Sequence, residues 1–389
     1  SAAGAAMGAF CSCLWDAKDD CLGKPGKLEE PWRLLLPSGE IFASLVLSTL
    51  FSEKYQGHDM QAGATAEVRL PALPGEEPRT WTHTLLHRAG SKEVSAFIWL
   101  GDERSQFPTL YVAFSPLRKQ NQFLKLLQAR STVVPDTFRE APRDGQGSPG
   151  AEHSVPTMSY VQKKLSNLWQ KYDFDSKMSD ALRRYPQHLV ICCGISHGAT
   201  LAQATALRLS LMRPWTRFQA VTWNAYKWTN EAGVALMQEK VGKRLLPFVL
   251  SRGCDWDSIA GTPFDLAPMP QIVFLDADTG QCRPALDVRR TYLGPSAAWR
   301  MYRLHFAKTA LHATRLAMLA ALEEEAKNED PSQFHTLRRM STLSWHSGSL
   351  LRAWSFSNQP AFAPLLEHEA ELEAVERDED SGEECLTPS

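Results

Sequence analysis

Residues 191–211 read ICCGISHGATLAQATALRLSL and place a serine between two glycines, in the pattern Gly-x-Ser-x-Gly. An apolar, β-rich run ends just before Ser196, and a small-residue, helix-forming run begins just after it. A strand that turns sharply into a helix at a serine lifts that hydroxyl clear of the backbone, where it can attack a carbonyl carbon. Gly194 and Gly198 would let the strand and the helix approach closely. The stretch therefore predicts Ser196 as a nucleophile rather than as an ordinary turn serine.

The residue after the serine, His197, is expected to contribute its backbone N–H. That amide lies at the start of the predicted helix, where unpaired N–H groups and the helix dipole stabilise a developing negative charge. It would be one donor of an oxyanion hole, the set of N–H groups that holds the charged oxygen of a tetrahedral intermediate. The His197 side chain is a poor base for Ser196, because adjacent residues at a helix start point in different directions. We expect this side chain to line the pocket or to lie on the surface.

A nucleophilic serine needs a base, and the base needs a carboxylate that orients it. In the α/β-hydrolase order, the carboxylate and then the histidine follow the serine along the chain, each in a loop after a strand. The predicted strand LPFVLS is followed by Asp255 and Asp257, and the helical region after QIVFLDAD contains His305 and His312. The residues alone therefore leave two candidates for the carboxylate and two for the base.

A metal centre is not predicted. Asp276 and Asp278 lie at a strand end, but two carboxylates without further ligands are more typical of an exposed turn than of a cation site. The eight cysteines show no Cys-x-x-Cys spacing and are interpreted as reduced thiols; they are at positions 11, 13, 21, 192, 193, 254, 282 and 385. We therefore expect neither a metal nor another cofactor.

The elements that must position these residues alternate between strands and helices. Strands are predicted in VSAFIWL and TLYVAF, which form a hairpin, and in HLVICC, FQAVTWNAY, LPFVLS and QIVFLDAD. Helices are predicted over residues 38–52, 119–130, 157–185, 199–211 and 295–327. Such alternation is typical of an α/β fold with a mostly parallel sheet that is covered by helices on both faces.

The chain has 389 residues, of which 43% are hydrophobic and 22% charged, as in a soluble globular protein. We predict a flexible leader over residues 1–30, one domain over 31–327, and a basic, Ser-rich and then acidic tail over 328–389. Residues 140–156 are rich in Gly, Pro and charge and are interpreted as a mobile insertion that could serve as a lid.

The charge of the chain is unevenly distributed. Residues 367–384 contain ten acids and one base, which leaves 41 bases and 34 acids in the rest of the chain. A modestly basic body would tolerate an anionic membrane surface. No stripe of Arg and Lys with interleaved aromatic residues is present, so no nucleic-acid partner is predicted.

The N-terminal residues contain a lipidation pattern. Counted from Met7, the sequence MGAFCSC is the pattern for myristoylation of Gly8, with Cys11 and Cys13 as palmitoylation candidates. Two acyl chains would hold a protein at a membrane. The alternative is a disordered small-residue leader. Since no basic region is followed by a long apolar stretch, we expect a cytoplasmic protein, membrane-associated through acylation.

From about residue 91 to residue 318, the chain resembles the class 3, fungal-type lipases, which are α/β-hydrolases. VICCGISHGATLA resembles the nucleophile segment of that family, and FQAVTWNAYKWTNEAG its following strand. DSIAGTP is similar to the segment that holds the catalytic aspartate, and LHFAKTAL to the late histidine segment. The resemblance therefore implies Asp257 rather than Asp255, and His305 rather than His312.

The sequence departs from the family pattern around the oxyanion hole. Ile195 and His197 replace a histidine and a leucine, and Ser115 and Pro116 replace an Arg-Gly turn. Proline has no N–H to donate, so the other oxyanion donor is either the amide of Leu117 or missing. The loss of one such donor lowers the rate by about 100- to 1000-fold.

The resemblance implies an acylglycerol lipase that needs no cofactor and whose partner is a lipid ester. Ser196 would attack the ester, His305 would transfer the proton, and Asp257 would orient His305. Two alternatives remain: a catalytically weak or inactive lipase-like protein that binds lipid or a partner, and a soluble carboxylesterase or thioesterase with a shallow, open site.

Overall fold

The computed structural model describes residues 38–49, 61–91, 95–105, 107–116, 133–139, 152–214, 216–252, 255–257, 266–269, 272–283 and 304–329. Several predictions of the sequence lie outside these residues: the leader with Gly8, Cys11 and Cys13, the helix over 119–130, the oxyanion candidate Leu117, and the tail beyond residue 329.

The strands are β1 Thr65–Arg69, β2 Thr80–Gly90, β3 Ser95–Leu100, β4 Thr109–Phe114, β5 Val133–Arg139, β6 Glu152–Met158, β7 Leu189–Ile195, β8 Phe218–Trp223, β9 Leu245–Arg252, β10 Asp255–Trp256, β11 Val273–Asp276 and β12 Cys282–Arg283. The α-helices are α1 Ser38–Thr49, α2 Ser159–Ser166, α3 Phe174–Arg184, α4 His197–Met212, α5 Glu231–Lys240 and α6 Ala307–Glu329. A π-helical stretch, Asn167–Lys171, extends α2, and a 3₁₀ turn, Gly242–Arg244, precedes β9.

One large sheet has the strand order β1-β2-β3-β4-β7-β8-β9-β11-β12, with β10 paired to β9. The strands β4, β7, β8, β9 and β11 run parallel, and the strands outside them add on antiparallel. The carboxyl ends of parallel strands meet at the same edge of a sheet, which is where ligands bind in open α/β sheets. The chain segments that follow β7, β8 and β9 therefore converge there.

Helices cover both faces of this sheet, as predicted. The strand β7, LVICCGI, is apolar throughout, because its side chains alternate between two buried cores. Cys192 faces a core that includes residues of α2, α3, α4 and α5. Cys193 faces the other core, which includes residues of α1 and α6. Both cysteines are free, so the vicinal pair acts as two small apolar side chains.

The helix α4, which directly follows Ser196, is buried almost all round. It packs against β7 and β8, and seven of its 14 buried residues are alanine, glycine or threonine. A helix of this composition can lie close to the sheet because few of its side chains hold the two backbones apart. The position of its N-terminus is therefore fixed by the core of the molecule.

Two predicted helices differ from the structure. The helical spacing over 157–185 does not continue unbroken, because Met158 still belongs to β6 and Asp173 has a left-handed φ of 54° between the π-helical stretch and α3. Residues 304–306 form a turn and the last described helix begins at Ala307, whereas the predicted start near residue 295 lies outside the described residues. Hydrophobic periodicity does not detect a single left-handed residue, which is why the spacing over 157–185 predicts one long helix.

The mobile insertion predicted over 140–156 is wrong for its last five residues. Residues 152–156 belong to β6, which pairs with β5 in a separate two-stranded sheet. Pro156 lies opposite Pro135 in this hairpin. Proline, which has no backbone N–H, is tolerated here because one edge of each strand in a two-stranded sheet does not take part in the hydrogen-bond ladder. Residues 140–151 lie outside the described part of the chain.

None of the helices in the described ranges combines the length and the apolar character that a membrane crossing requires.

Candidate active site

Ser196 occupies the turn between β7 and α4. Its backbone has φ 57° and ψ −124°, a conformation that residues other than glycine rarely adopt. The Ser196 N–H donates to the carbonyl oxygen of Trp223 at the end of β8, at 2.9 Å. The strained turn and this hydrogen bond hold the serine at the carboxyl edge of the sheet.

The two glycines of the pattern are required by close backbone contacts. A Cβ atom on Gly194 would lie 2.3 Å from the backbone carbon of Gly198. A Cβ atom on Gly198 would lie 2.3 Å from the carbonyl oxygen of Phe114, at the end of β4. Neither position has room for a larger side chain, which is the physical reason for the Gly-x-Ser-x-Gly spacing.

Ser196, His305 and Asp257 form one hydrogen-bonded chain. The Ser196 Oγ lies 2.6 Å from His305 Nε2, and His305 Nδ1 lies 2.6 Å from Asp257 Oδ2. A neutral imidazole that donates its Nδ1–H to a carboxylate has a lone pair on Nε2, which can accept the proton of the serine hydroxyl. The geometry is that of a nucleophile, a base and an orienting carboxylate.

Of the two candidate carboxylates, Asp257 is the one that contacts the histidine. It is fully buried, and its N–H donates to the carbonyl oxygen of Leu250 in β9 at 2.9 Å. Asp255 belongs to the short strand β10, which pairs with the end of β9. The antiparallel pairing of β10 with β9 thus presents Asp257 at the sheet edge.

Of the two candidate histidines, His305 lies in the turn before α6, and His312 is exposed on the helix itself. A position just before a helix frees the side chain from the helical register, so that it can reach Ser196.

The side chain of His197 has a different environment. It is fully buried, its Nδ1 lies 2.6 Å from the Tyr226 hydroxyl, and its ring stacks on that of Tyr226. Burial, with a smaller contribution from the nearby Lys164 charge, lowers the pKa of His197 to about 3. The ring is therefore neutral at physiological pH, and the surface position considered for it is wrong.

The oxyanion donors are only partly described. The His197 N–H is at the first position of α4, where backbone amides have no partner within the helix. The Ser115 N–H donates to the carbonyl oxygen of Ser95 at 3.0 Å, and Pro116 has no N–H. Neither of these two residues can therefore supply a backbone N–H as the second donor, and Leu117 lies outside the described residues.

Asp276 and Asp278, the two carboxylates considered for a metal, have other partners in a turn. The Asp276 side chain accepts hydrogen bonds from the backbone N–H groups of Asp278 and Thr279 and from the Thr279 hydroxyl. Asp278 forms an ion pair with Arg252 at 2.9 Å. Within the described ranges, no three His, Cys, Asp or Glu side chains are grouped so that they could hold a metal ion.

Sequence reasoning missed one residue at this edge, Asn224. It follows β8, is fully buried and has a φ of 54°. Its side chain is hydrogen-bonded to the segments that carry Asp257 and His305. The only signal in the sequence is the polar residue directly after an apolar strand, and this signal does not identify the partners.

The strand order, the serine turn between β7 and α4, and the chain order Ser196, Asp257, His305 define an α/β-hydrolase fold. The predicted fold class is thereby confirmed.

Comparisons with solved structures found several lipases to which the chain is similar. Among solved structures, the chain is similar to the Lip2 lipase from Yarrowia lipolytica, with 14% identity over 50% of this chain and 67% of that chain and a TM-score of 0.40. It is also similar to the Rhizomucor miehei lipase in its propeptide complex, with 15% identity over 50% of this chain and 57% of that chain and a TM-score of 0.38. A third similar structure is a triacylglycerol lipase from Penicillium expansum, with 12% identity over 62% of this chain and 79% of that chain and a TM-score of 0.42.

No protein-family model and no curated protein matches the sequence. The chain spans 67% and 57% of the length of the first two lipases. At identities this low the likeness does not extend to function, which must be judged from the geometry of the site.

Proposed function

We propose that this protein is a serine hydrolase that cleaves acyl esters of lipids, with acylglycerols as its substrate class. The observation that carries the proposal is the chain of two 2.6 Å contacts from Ser196 through His305 to Asp257. The strained turn at Ser196 and the burial of Asp257 support it, because both are features of a preorganised nucleophile and its orienting carboxylate.

The chemistry follows from the positions of the atoms. The Ser196 Oγ attacks the carbonyl carbon of the ester while its proton passes to His305 Nε2. The tetrahedral intermediate then collapses, the bond to the leaving alcohol breaks, and His305 returns the proton to that alcohol. Water then gives a proton to His305 and attacks the acyl-enzyme, which releases the fatty acid and restores Ser196.

Two groups stabilise the charges that form during this reaction. The Asp257 carboxylate, 2.6 Å from His305 Nδ1, stabilises the imidazolium. The His197 N–H at the start of α4 is placed to donate to the oxyanion, since the helix N-terminus favours negative charge. A single donor would support slow catalysis, and the second would come from the chain beyond Pro116.

The lipid substrate class rests on the resemblance of the sequence to class 3 lipases.

The first test is labelling with a fluorophosphonate probe. The wild-type chain should be labelled and Ser196→Ala should not, while His312→Ala should be labelled like the wild type. The labelled protein is then assayed on emulsified diacylglycerol, on p-nitrophenyl acetate and on an acyl thioester. Turnover of the soluble substrates alone would favour the esterase or thioesterase, and a folded but unlabelled wild type would favour a lipid-binding relative.

We also propose that the protein is cytoplasmic and is held at a membrane by acylation of Gly8, Cys11 and Cys13. The sequence pattern MGAFCSC supports this proposal. Cells that express the chain with Met7 as the initiator methionine would be fed alkynyl myristate and alkynyl palmitate. Gly8→Ala should abolish myristate incorporation and move the protein from the membrane fraction to the soluble one. An unmodified chain that stays in the membrane fraction would contradict the proposal.

A further inference from the structure

The residue that follows β8, Asn224, is fully buried and has a φ of 54°. This left-handed conformation normally favours glycine, and asparagine is among the few other residues that adopt it. A glycine would satisfy the backbone at this position. What the asparagine adds is its carboxamide group, so the contacts of that group indicate what the residue does.

Both ends of the carboxamide are hydrogen-bonded to backbone groups distant in the chain. Its Oδ1 accepts a hydrogen bond from the Leu250 N–H at 2.9 Å, and its Nδ2 donates to the Leu304 carbonyl oxygen at 2.9 Å. The backbone N–H of Asn224 also donates to the Phe248 carbonyl oxygen at 2.8 Å. The side chain therefore bridges β9 and the turn before α6.

These partners are directly connected to the three residues of the site. Leu304 precedes His305, and the Leu250 carbonyl oxygen accepts the N–H of Asp257 at 2.9 Å. On the other side, Trp223 precedes Asn224, and its carbonyl oxygen accepts the N–H of Ser196 at 2.9 Å. One buried residue thus lies within one hydrogen bond or one peptide unit of the segments that hold all three.

We propose that Asn224 is a positioning residue, whose carboxamide fixes the turn that carries His305 against the strand that leads to Asp257. The inference rests on the proposed function, because it concerns the alignment of His305 with Ser196. Asn224 does not touch the reacting atoms, and it acts only through the backbone of Leu304 and Leu250.

The need for such a residue follows from where His305 lies. A residue in a turn before a helix lacks the hydrogen-bond ladder that fixes a residue within a strand or helix. The Asn224 amide gives the Leu304 carbonyl oxygen a buried donor. Without this donor, the turn would gain freedom, and His305 Nε2 would spend less time within reach of the Ser196 hydroxyl. A misplacement of about 1 Å at a reacting group costs about 100-fold in rate.

Two variants separate the carboxamide from the backbone conformation. Asn224→Gly keeps the left-handed φ and removes both side-chain hydrogen bonds. Asn224→Asp also tolerates this φ and keeps an acceptor for the Leu250 N–H, but it places a carboxylate oxygen against the Leu304 carbonyl oxygen. If either variant failed to fold, the other would still decide the question.

Gln203 provides a matched control. It is a fully buried amide on α4 that also makes two side-chain hydrogen bonds, to the Thr222 hydroxyl at 3.0 Å and from the Trp228 indole N–H at 3.1 Å. These partners do not belong to the site. Gln203→Leu therefore reproduces the loss of a buried, doubly bonded amide without affecting the turn at His305.

The experiment measures kcat and KM on a p-nitrophenyl ester, and the rate of fluorophosphonate labelling, with urea unfolding as the check on folding. Each Asn224 variant is made in the wild-type chain and in the His305→Ala chain. We expect kcat and the labelling rate to fall by about tenfold or more in the first background, with little change in KM. In the second background no further loss is expected, because the residue acts only through His305.

Three results would count against the proposals, and they can be told apart. A folded wild type without labelling would overturn the proposed function. With a labelled wild type, Asn224 variants that react like Gln203→Leu would overturn the positioning role alone. An equal loss in the wild-type and His305→Ala backgrounds would also overturn it, since a general disturbance of the fold would then explain the effect.

Discussion

Ser196 is held by residues close to it in the chain, whereas His305 is held by a residue that lies far away. The serine depends on Gly194 and Gly198, two positions to either side, which allow β7 and α4 to meet. The turn before His305 depends on Asn224, which is 80 positions from the Leu304 carbonyl oxygen that it binds. The nucleophile side of the site is thus encoded locally, and the base side by tertiary contacts.

The largest expected effects on kcat come from removing the nucleophile or the base. Ser196→Ala and His305→Ala should each lower kcat by roughly 10⁶-fold, and the double variant should lose no more than either single one, because the two groups act as a unit. His312→Ala is the control and should retain full activity. Steady-state kinetics on a p-nitrophenyl ester measures all four. Independent, additive losses would mean that the two residues do not act in one step.

The next effect tests the carboxylate on the base side. Asp257→Asn should leave the hydrogen-bonded geometry nearly intact but favour the wrong tautomer of His305, and kcat should fall by about 10⁴-fold. Asp255→Asn is the matched control, since this residue lies two positions away and was the alternative candidate. A larger loss in the Asp255 variant than in the Asp257 variant would contradict the assignment.

A smaller effect tests the packing on the nucleophile side. Gly198→Ala would place a Cβ 2.3 Å from the Phe114 carbonyl oxygen, so we expect the free energy of unfolding to fall by about 1–3 kcal/mol through overpacking. Urea unfolding compares the variant with the wild type. A variant as stable as the wild type would mean that strand and helix can move apart without cost.

The smallest expected effect is the change in the free energy of unfolding per pH unit, which comes from two buried histidines, one beside each core. Burial lowers the pKa of His83 to about 4, against a weaker opposite effect of Asp102, and the pKa of His197 to about 3. Between the ordinary value of 6.5 and these lowered values, the unfolded chain binds protons that the folded chain does not. The free energy of unfolding should therefore fall with pH below about 6.5, by up to about 1.4 kcal/mol per pH unit for each histidine.

Urea unfolding at pH 7, 6 and 5 measures this dependence. His83→Phe should flatten it by the share of one histidine, because phenylalanine can occupy the same space beside Tyr111 without titrating. His312→Ala should flatten it less, because burial also lowers the pKa of His312 but this side chain lies on the exposed face of α6. An unchanged slope in His83→Phe would mean that the His83 ring is already protonated or solvated in the folded chain.

The same comparison explains what the sequence could and could not predict. The turn at Ser196 was predictable, because the strand, the glycines and the helix are contiguous and each has a local physical signal. Asp257 and His305 were each left with a rival by the residues alone, and only the resemblance to class 3 lipases distinguished them. The structure then brought the chosen pair together with Ser196.

The residues that sequence reasoning missed depend on distant partners or on a single backbone angle. Nothing near Asn224 indicates that its partners will be Leu250 and Leu304. Asp173 interrupts a helical pattern that its neighbours continue, because its φ of 54° leaves no trace in the hydrophobic period. Residues 152–156 became a strand only through pairing with β5, against their turn-like composition.

The backbone of Ser196 has a consequence for how this protein could change over time. A serine at φ 57° stores about 1–3 kcal/mol of strain, and a glycine would adopt the same angle at no steric cost. Selection for folding alone would therefore replace the nucleophile. A descendant that had lost Ser196 to glycine would be more stable than its parent, so the path from an enzyme to an inactive relative runs downhill in free energy at this position.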